Sequence, residues 1–486
     1  MTLPSSSTPL QSASPSLEGS SLSPQITSDH PLVIHLNLHQ NSPDLSRATI
    51  EQLFPTFPNP LWTFISLWIF PDLVPPLIHA GYRLDETDSE GRSASHIFAS
   101  SKPPSMPSSS CVEMAEVLLK CGVDFNIPDQ KGRSPLHFAC TIGNLPLVEF
   151  LLTLGVSFDA KQQDSGHRPL HLSSRFGHAD ICSILLQVGV DPDASDSQGW
   201  TALHHAVANN HLKTARVLIE GGANLCVQSE SGLSVLHLAV TRGSFDLVRL
   251  VFLSCKSLVS LEDNSGQTPL HYGCKFGYEE ICEFFINEGG DWSQLSDQGL
   301  TPLHYAAAGG FGCICACLLK AGAVPNKLTK VGSSPLHLCL DGYLKMKNSD
   351  DSDKESILTR YRDTLIKLVD NGARMSLTDA SGFNAYERLC MVSETDLCNL
   401  LGNHRKNFKK TSAKRPRQAE PWTPDEAVTH CQLSCGTGFT LFTRRHHCRS
   451  CGKVVCNKCS LTRMTLPSLG FFSPVRVCNE CVRNRN

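Results

Sequence analysis

The 486 residues carry 43 Lys and Arg against 46 Asp and Glu, a formal charge of −3. That balance is uneven: residues 403–486 hold 16 basic and 4 acidic side chains, while the 402 before them hold 27 and 42. A basic tail on an acidic body points to an anionic partner, and the longest apolar stretch, residues 61–70, is too short for a bilayer span of about 20 residues, so membrane contact is expected to be peripheral.

Residues 1–29 are rich in Ser and Pro and poor in large apolar groups. Such a segment buries too little surface to offset its ordering entropy, and it is expected to be disordered. Met1-Thr2-Leu3-Pro4 has neither the basic start nor the apolar core of a secretion signal. The 22 cysteines are therefore expected in the cytoplasm, as thiols or metal ligands.

From 58 to 402 the chain repeats. Gly132, Gly166, Gly199, Gly232, Gly266, Gly299 and Gly332 recur at spacings of 34, 33, 33, 34, 33 and 33 residues. Each precedes a related tetrad, clearest in Thr268-Pro269-Leu270-His271 and Thr301-Pro302-Leu303-His304. Glycine supplies a tight turn, and Pro begins a helix where its missing N–H costs nothing. A second helix follows with an apolar face, as in Leu147, Val148, Phe150 and Leu151, and is expected to stop at Gly155, Gly189, Gly221 or Gly322. Period and signature resemble the ankyrin repeat. The resemblance implies a mainly α fold: an ankyrin-repeat solenoid of about nine or ten units, degenerate at its ends, binding protein partners on its surface and carrying no catalytic machinery. Two steps are long. Gly91 to Gly132 spans 41 residues and Gly332 to Gly382 spans 50, with a polar insertion at 348–355. The unit after Gly382 reads as a cap.

Within the array, the tetrad histidines read as a hydrogen-bond ladder between repeats rather than a metal series. Cys313, Cys315 and Cys317 cannot share one helical face and read as packing residues. Trp200 and Trp292 are candidate partner contacts. A linker follows at 403–420, with Arg405, Lys406, Lys409, Lys410, Lys414, Arg415 and Arg417; Pro416 and Pro421 oppose a helix there.

Residues 421–486 hold four cysteine pairs: Cys431/Cys435, Cys448/Cys451, Cys456/Cys459 and Cys478/Cys481. Paired thiolates two or three residues apart let one turn offer two ligands to a tetrahedral zinc. Eight ligands fill two closed sites, which are structural rather than catalytic. In so small a segment, metal binding supplies much of the folding free energy. His446 and His447 are surplus to that ligand count.

Three motifs lie among these cysteines: Trp422-Thr423-Pro424-Asp425, the basic run Arg444-Arg445-His446-His447-Cys448-Arg449-Ser450-Cys451-Gly452, and Arg476-Val477-Cys478. Together they resemble the FYVE finger, apart from a first pair spaced Cys-x₃-Cys. The resemblance implies a small two-zinc cross-brace. Cys431, Cys435, Cys456 and Cys459 would hold one Zn²⁺; Cys448, Cys451, Cys478 and Cys481 would hold the other. It implies binding of phosphatidylinositol 3-phosphate on endosomal membranes. Arg445, His447, Arg449 and Arg476 would gather the 3-phosphate, Arg444 the 1-phosphate, and Asp425 and His446 the ring hydroxyls, with Trp422 at the same site. Leu441 and Phe442 resemble the family's membrane-inserting tip. Arginine forks suit phosphate oxygens, and the linker cations add attraction to an anionic surface.

The whole reads as a non-enzymatic adaptor in vesicle trafficking, peripheral on endosomes, with no nucleic-acid partner expected and a homodimer compatible with weak single-finger binding. The rival readings are a RING-like ubiquitin ligase, disfavoured because Arg449-Ser450 follow Cys448 where a ligand histidine would stand, and a nuclear regulator using the linker cations as an import signal.

Overall fold

The computed structural model describes residues 60–67, 71–79, 81–101, 108–349, 353–379 and 381–391, Leu397, and the backbone of four short strands between 446 and 476. The expected disordered tail at 1–29 and the linker at 403–420 lie outside the described residues. The described chain is mostly helical, and it divides into two compact units, residues 1–173 and 174–486. No described helix is long and apolar enough to cross a membrane.

Each repeat begins with a turn that the sequence writes into two positions. In residues 263–267, the Asp263 carboxylate accepts from the backbone N–H groups of Ser265 and Gln267, both at 2.8 Å, while Gly266 takes φ +68°. Asp88, Asp129, Asp196 and Asp379 build the same turn. At Ser229, Ser296 and Thr329 a hydroxyl accepts the second of those bonds.

The tetrad then starts a helix through a capping box in which histidine stands in the place usual for Glu or Gln. The backbone N–H of Thr268 donates to His271 Nδ1 at 3.1 Å, and the Thr268 hydroxyl lies 2.9 Å from the same nitrogen. Because Nδ1 accepts, the ring proton sits on Nε2. That N–H donates to the Leu300 carbonyl of the following repeat at 3.2 Å. His204 reaches Leu233, His237 reaches Gln267 and His304 reaches Lys327 in the same way. The expected ladder is therefore present in the second unit.

In the first unit it starts one repeat earlier than the tetrads indicate, because Ser93 and His96 form the same box and His96 Nε2 donates to the Arg133 carbonyl at 3.0 Å. His137 and His337 keep the capping arrangement, but their buried Nε2 atoms have no partner. At the far end Asn384 and Glu387 form a reciprocal box with a carboxylate in place of the ring.

Two layers result within each unit. In the second, the first helices Ala202–Ala208, Val235–Thr241, Pro269–Phe276, Pro302–Ala308 and Pro335–Lys347 pack in succession. Behind them run the second helices Ala179–Gln187, Leu212–Glu220, Phe245–Ser254, Glu279–Asn287, Gly312–Ala321 and Lys354–Asp370. Leu203, Leu236, Leu270, Leu303 and Leu336 are buried along the seam, each worth roughly 1.5–3 kcal/mol. In the first unit, Pro60–Leu67, Ala94–Ala99 and Pro135–Ile142 stack likewise, with Ser108–Lys120 against Leu145–Thr153.

One detail departs from the sequence reading. The stop after Leu212–Glu220 is made by Gly222, at φ +90°, and not by Gly221, whose φ is −76°. An added Cβ at Gly221 would lie 2.5 Å from Cδ1 of Leu186, the tip of a partly exposed side chain that can turn aside. Within the 50-residue step after Gly332 the two helices run to 13 and 17 residues, and the polar insertion at 348–355 falls where the first ends at Lys347 and the second begins at Lys354. Its Tyr361 hydroxyl donates to the Ala308 carbonyl at 2.8 Å, and Arg360 donates to the Gly309 carbonyl at 3.2 Å. Asn326 adds a bond to the Gly372 carbonyl and one from the Arg374 N–H.

Candidate functional site

The C-terminal segment contributes two antiparallel hairpins. Strand β1 (His446–His447) pairs with β2 (Val454–Val455), His446 opposite Val455 and His447 opposite Val454. Strand β3 (Arg463–Leu466) pairs with β4 (Phe471–Arg476), with a register shift between Met464 and Leu466.

In sequence, Cys448, Arg449, Ser450 and Cys451 fall between β1 and β2, and Cys456 is the next residue after β2. Arg476 ends β4, two residues before Cys478, and stands across from Arg463. The sequence reading did not single out Arg463. Only strand register exposes it, since 13 residues separate it from Arg476 along the chain.

Trp422, Asp425, Leu441, Phe442, Arg444, Arg445, Arg449 and the cysteines Cys431, Cys435, Cys448, Cys451, Cys456, Cys459, Cys478 and Cys481 lie outside the described residues. The donor chemistry still fits zinc: eight soft thiolates in four short-spaced pairs match two tetrahedral sites without drawing on a histidine.

In the array, the candidate contact residues are partly spent internally. Trp200 is half-buried, its ring centroid 5.2 Å from that of His205, whose Nε2 lies 2.9 Å from Asp196. Trp292 is half-buried against Gly322. Cys313 is exposed, Cys315 buried and Cys317 intermediate, as three positions around a helix should be. Burial lowers His204, His271 and His304 to a pKa of about 4, which keeps these rings neutral.

Comparison with known proteins agrees with both readings. The family model described as ankyrin repeats (3 copies) matches in overlapping windows that run from residue 70 to 347, more than half of the chain. The model described as FYVE zinc finger matches residues 421–486. Arrestin domain-containing protein A of Dictyostelium discoideum is 51% identical over 61 residues, 13% of this chain and 10% of that protein. Pleckstrin homology domain-containing family F member 1 of Homo sapiens is 42% identical over 106 residues, 21% of this chain and 35% of that protein. Zinc finger FYVE domain-containing protein 26 of Mus musculus is 45% identical over 67 residues, 14% of this chain and 3% of that protein. The chain thus spans between 3% and 35% of the length of these relatives. It belongs to the ankyrin-repeat proteins and carries a FYVE zinc finger at its C-terminal end.

Proposed function

We propose that this protein is a non-enzymatic adaptor, recruited to endosomal membranes by phosphatidylinositol 3-phosphate, whose ankyrin repeats gather protein partners in vesicle trafficking. The observation that carries the reading is the run Arg444-Arg445-His446-His447, which ends in the first strand of the β1–β2 hairpin and is followed at once in sequence by the Cys448/Cys451 pair. A cation cluster tethered to metal-fixed backbone is preorganised, so little entropy is lost on closing around a phosphate.

Two zinc ions complete the finger, one on Cys431, Cys435, Cys456 and Cys459, the other on Cys448, Cys451, Cys478 and Cys481. The metals supply rigidity; the headgroup is held by Arg444, Arg445, His446, His447, Arg449 and Arg476, with Asp425 accepting from a ring hydroxyl. By register, Arg463 adds a further cation beside Arg476. Leu441 and Phe442 enter the bilayer, and the linker cations contribute about 1 kcal/mol each near an anionic surface.

The test is co-sedimentation of the full chain, with its zinc content measured, on vesicles carrying the 3-, 4- or 5-monophosphate isomer. Selective retention on the 3-isomer, lost in Arg449→Ala, is expected. Equal retention on all three would overturn the reading.

A further inference from the structure

Cys226 and Cys255 lie on neighbouring repeats of the second unit, with their sulfur atoms 3.9 Å apart. Cys226 sits in the turn after helix Leu212–Glu220, where its N–H donates to Asn224. Cys255 caps helix Phe245–Ser254 and begins the short 3₁₀ turn Lys256–Ser260. Cys226 is exposed and Cys255 partly so, which leaves both within reach of a small solute. Neither contributes to the buried seam, and neither belongs to the FYVE finger.

We propose that Cys226 and Cys255 form a peroxide-reactive dithiol that closes into a disulfide across two repeats. Geometry supports this first: the sulfurs need to approach by about 1.9 Å to reach bonding distance of about 2.05 Å, a movement that side-chain rotation at two surface positions supplies. Reactivity supports it second. The Ser257 hydroxyl, 3.2 Å from Cys255 Sγ, is the main influence holding that thiol below its ordinary range, with Cys226 adding to it. Burial, followed by the Cys255 neighbour, pushes Cys226 up. The pair is therefore asymmetric, with one sulfur disposed to attack and the other to resolve.

The chemistry balances with a hydroperoxide as oxidant. The Cys255 thiolate attacks one oxygen of hydrogen peroxide; an S–O bond forms, the O–O bond breaks, and hydroxide leaves to be protonated to water. Cys226 sulfur then attacks Cys255 sulfur; the S–S bond forms, the S–O bond breaks, and hydroxide departs with the Cys226 proton as a second water. Two thiols are oxidised and one peroxide is reduced.

The protein contains its own control. Cys274 and Cys282 are closer still, at 3.7 Å, but both are buried, and burial drives the Cys274 thiol well up. Proximity without access should give no reaction.

The test is peptide mapping of the full chain after one equivalent of hydrogen peroxide, alkylation, and digestion. Expected are joint loss of alkylation at Cys226 and Cys255, a linked peptide pair reversed by dithiothreitol, and Cys274 and Cys282 still free. In Cys226→Ser, Cys255 should instead yield a sulfenic acid trapped by dimedone. Retained alkylation at both positions, or either cysteine linked to a different partner, would overturn the proposal; so would Cys226→Ser with no dimedone adduct at Cys255.

Discussion

At the scale of single residues, the tetrad histidine does two jobs with two nitrogens. His271 accepts from Thr268 on one side and donates to Leu300 on the other, fully buried. His271→Ala should remove both bonds and strand the buried Thr268 N–H, while the Leu300 carbonyl keeps its bond from the Ser296 N–H, costing about 1–3 kcal/mol in urea denaturation. Glycines separate two further effects. Gly222 and Gly277 both adopt left-handed backbone, at φ +90° and +82°. An added Cβ meets nothing at Gly222, but would lie 2.3 Å from Phe311 at Gly277. Gly222→Ala should therefore lose only the backbone term of about 1–2 kcal/mol, and Gly277→Ala about 3 kcal/mol or more; equal losses would refute the steric account. The tetrads were readable from sequence because Pro and His are rare enough to stand out at a 33-residue period. The Asp and Ser/Thr side chains that build the turns were not, since their role appears only when the backbone has curled back onto them. His96 escaped for a related reason: Ser93-Ala94-Ser95-His96 keeps the two hydrogen-bonding positions and loses the two apolar ones that advertise them.

At the scale of elements, strand pairing changes what the sequence means. Arg476 was identifiable from its place beside Cys478, whereas Arg463 gains its significance from β3–β4 register alone. Arg463→Ala should weaken retention on 3-phosphoinositide vesicles several-fold and make it less sensitive to salt, with zinc content unchanged. Undiminished retention would mean that the cross-strand cation is not used. The enlarged helix pair shows the opposite limit of sequence reading. The polar residues at 348–355 mark the junction between the two helices, but their composition does not foretell that both helices lengthen on either side of it, where each added residue gains a backbone hydrogen bond and Tyr343 is buried.

At the scale of the whole molecule, the array and the finger draw stability from different sources: apolar layers and histidine rungs in one, metal in the other. Zinc chelation should abolish vesicle retention while leaving the helical circular-dichroism signal nearly intact. Acid should act on the array instead. The rings at His204, His271 and His304 are lowered from 6.5 to about 4 by burial, so between those values the unfolded chain binds protons that the folded chain refuses. Stability is complete above about pH 6.5 and falls as pH drops toward 4, which the urea midpoint measured across that window would report.

That weakness is not evenly distributed along the stack. Beyond residue 327 burial lowers the ring of His337 as well, but there the repeats are also joined by contacts from the phenol of Tyr361, the guanidinium of Arg360 and the amide of Asn326, none of which titrates in mildly acidic solution. Acidification should thus open the stack from within rather than from its enlarged end. Hydrogen exchange at pH 4.5 would then show residues 202–308 losing protection while 354–370 stay closed, a clasp that outlasts the chain of links it fastens.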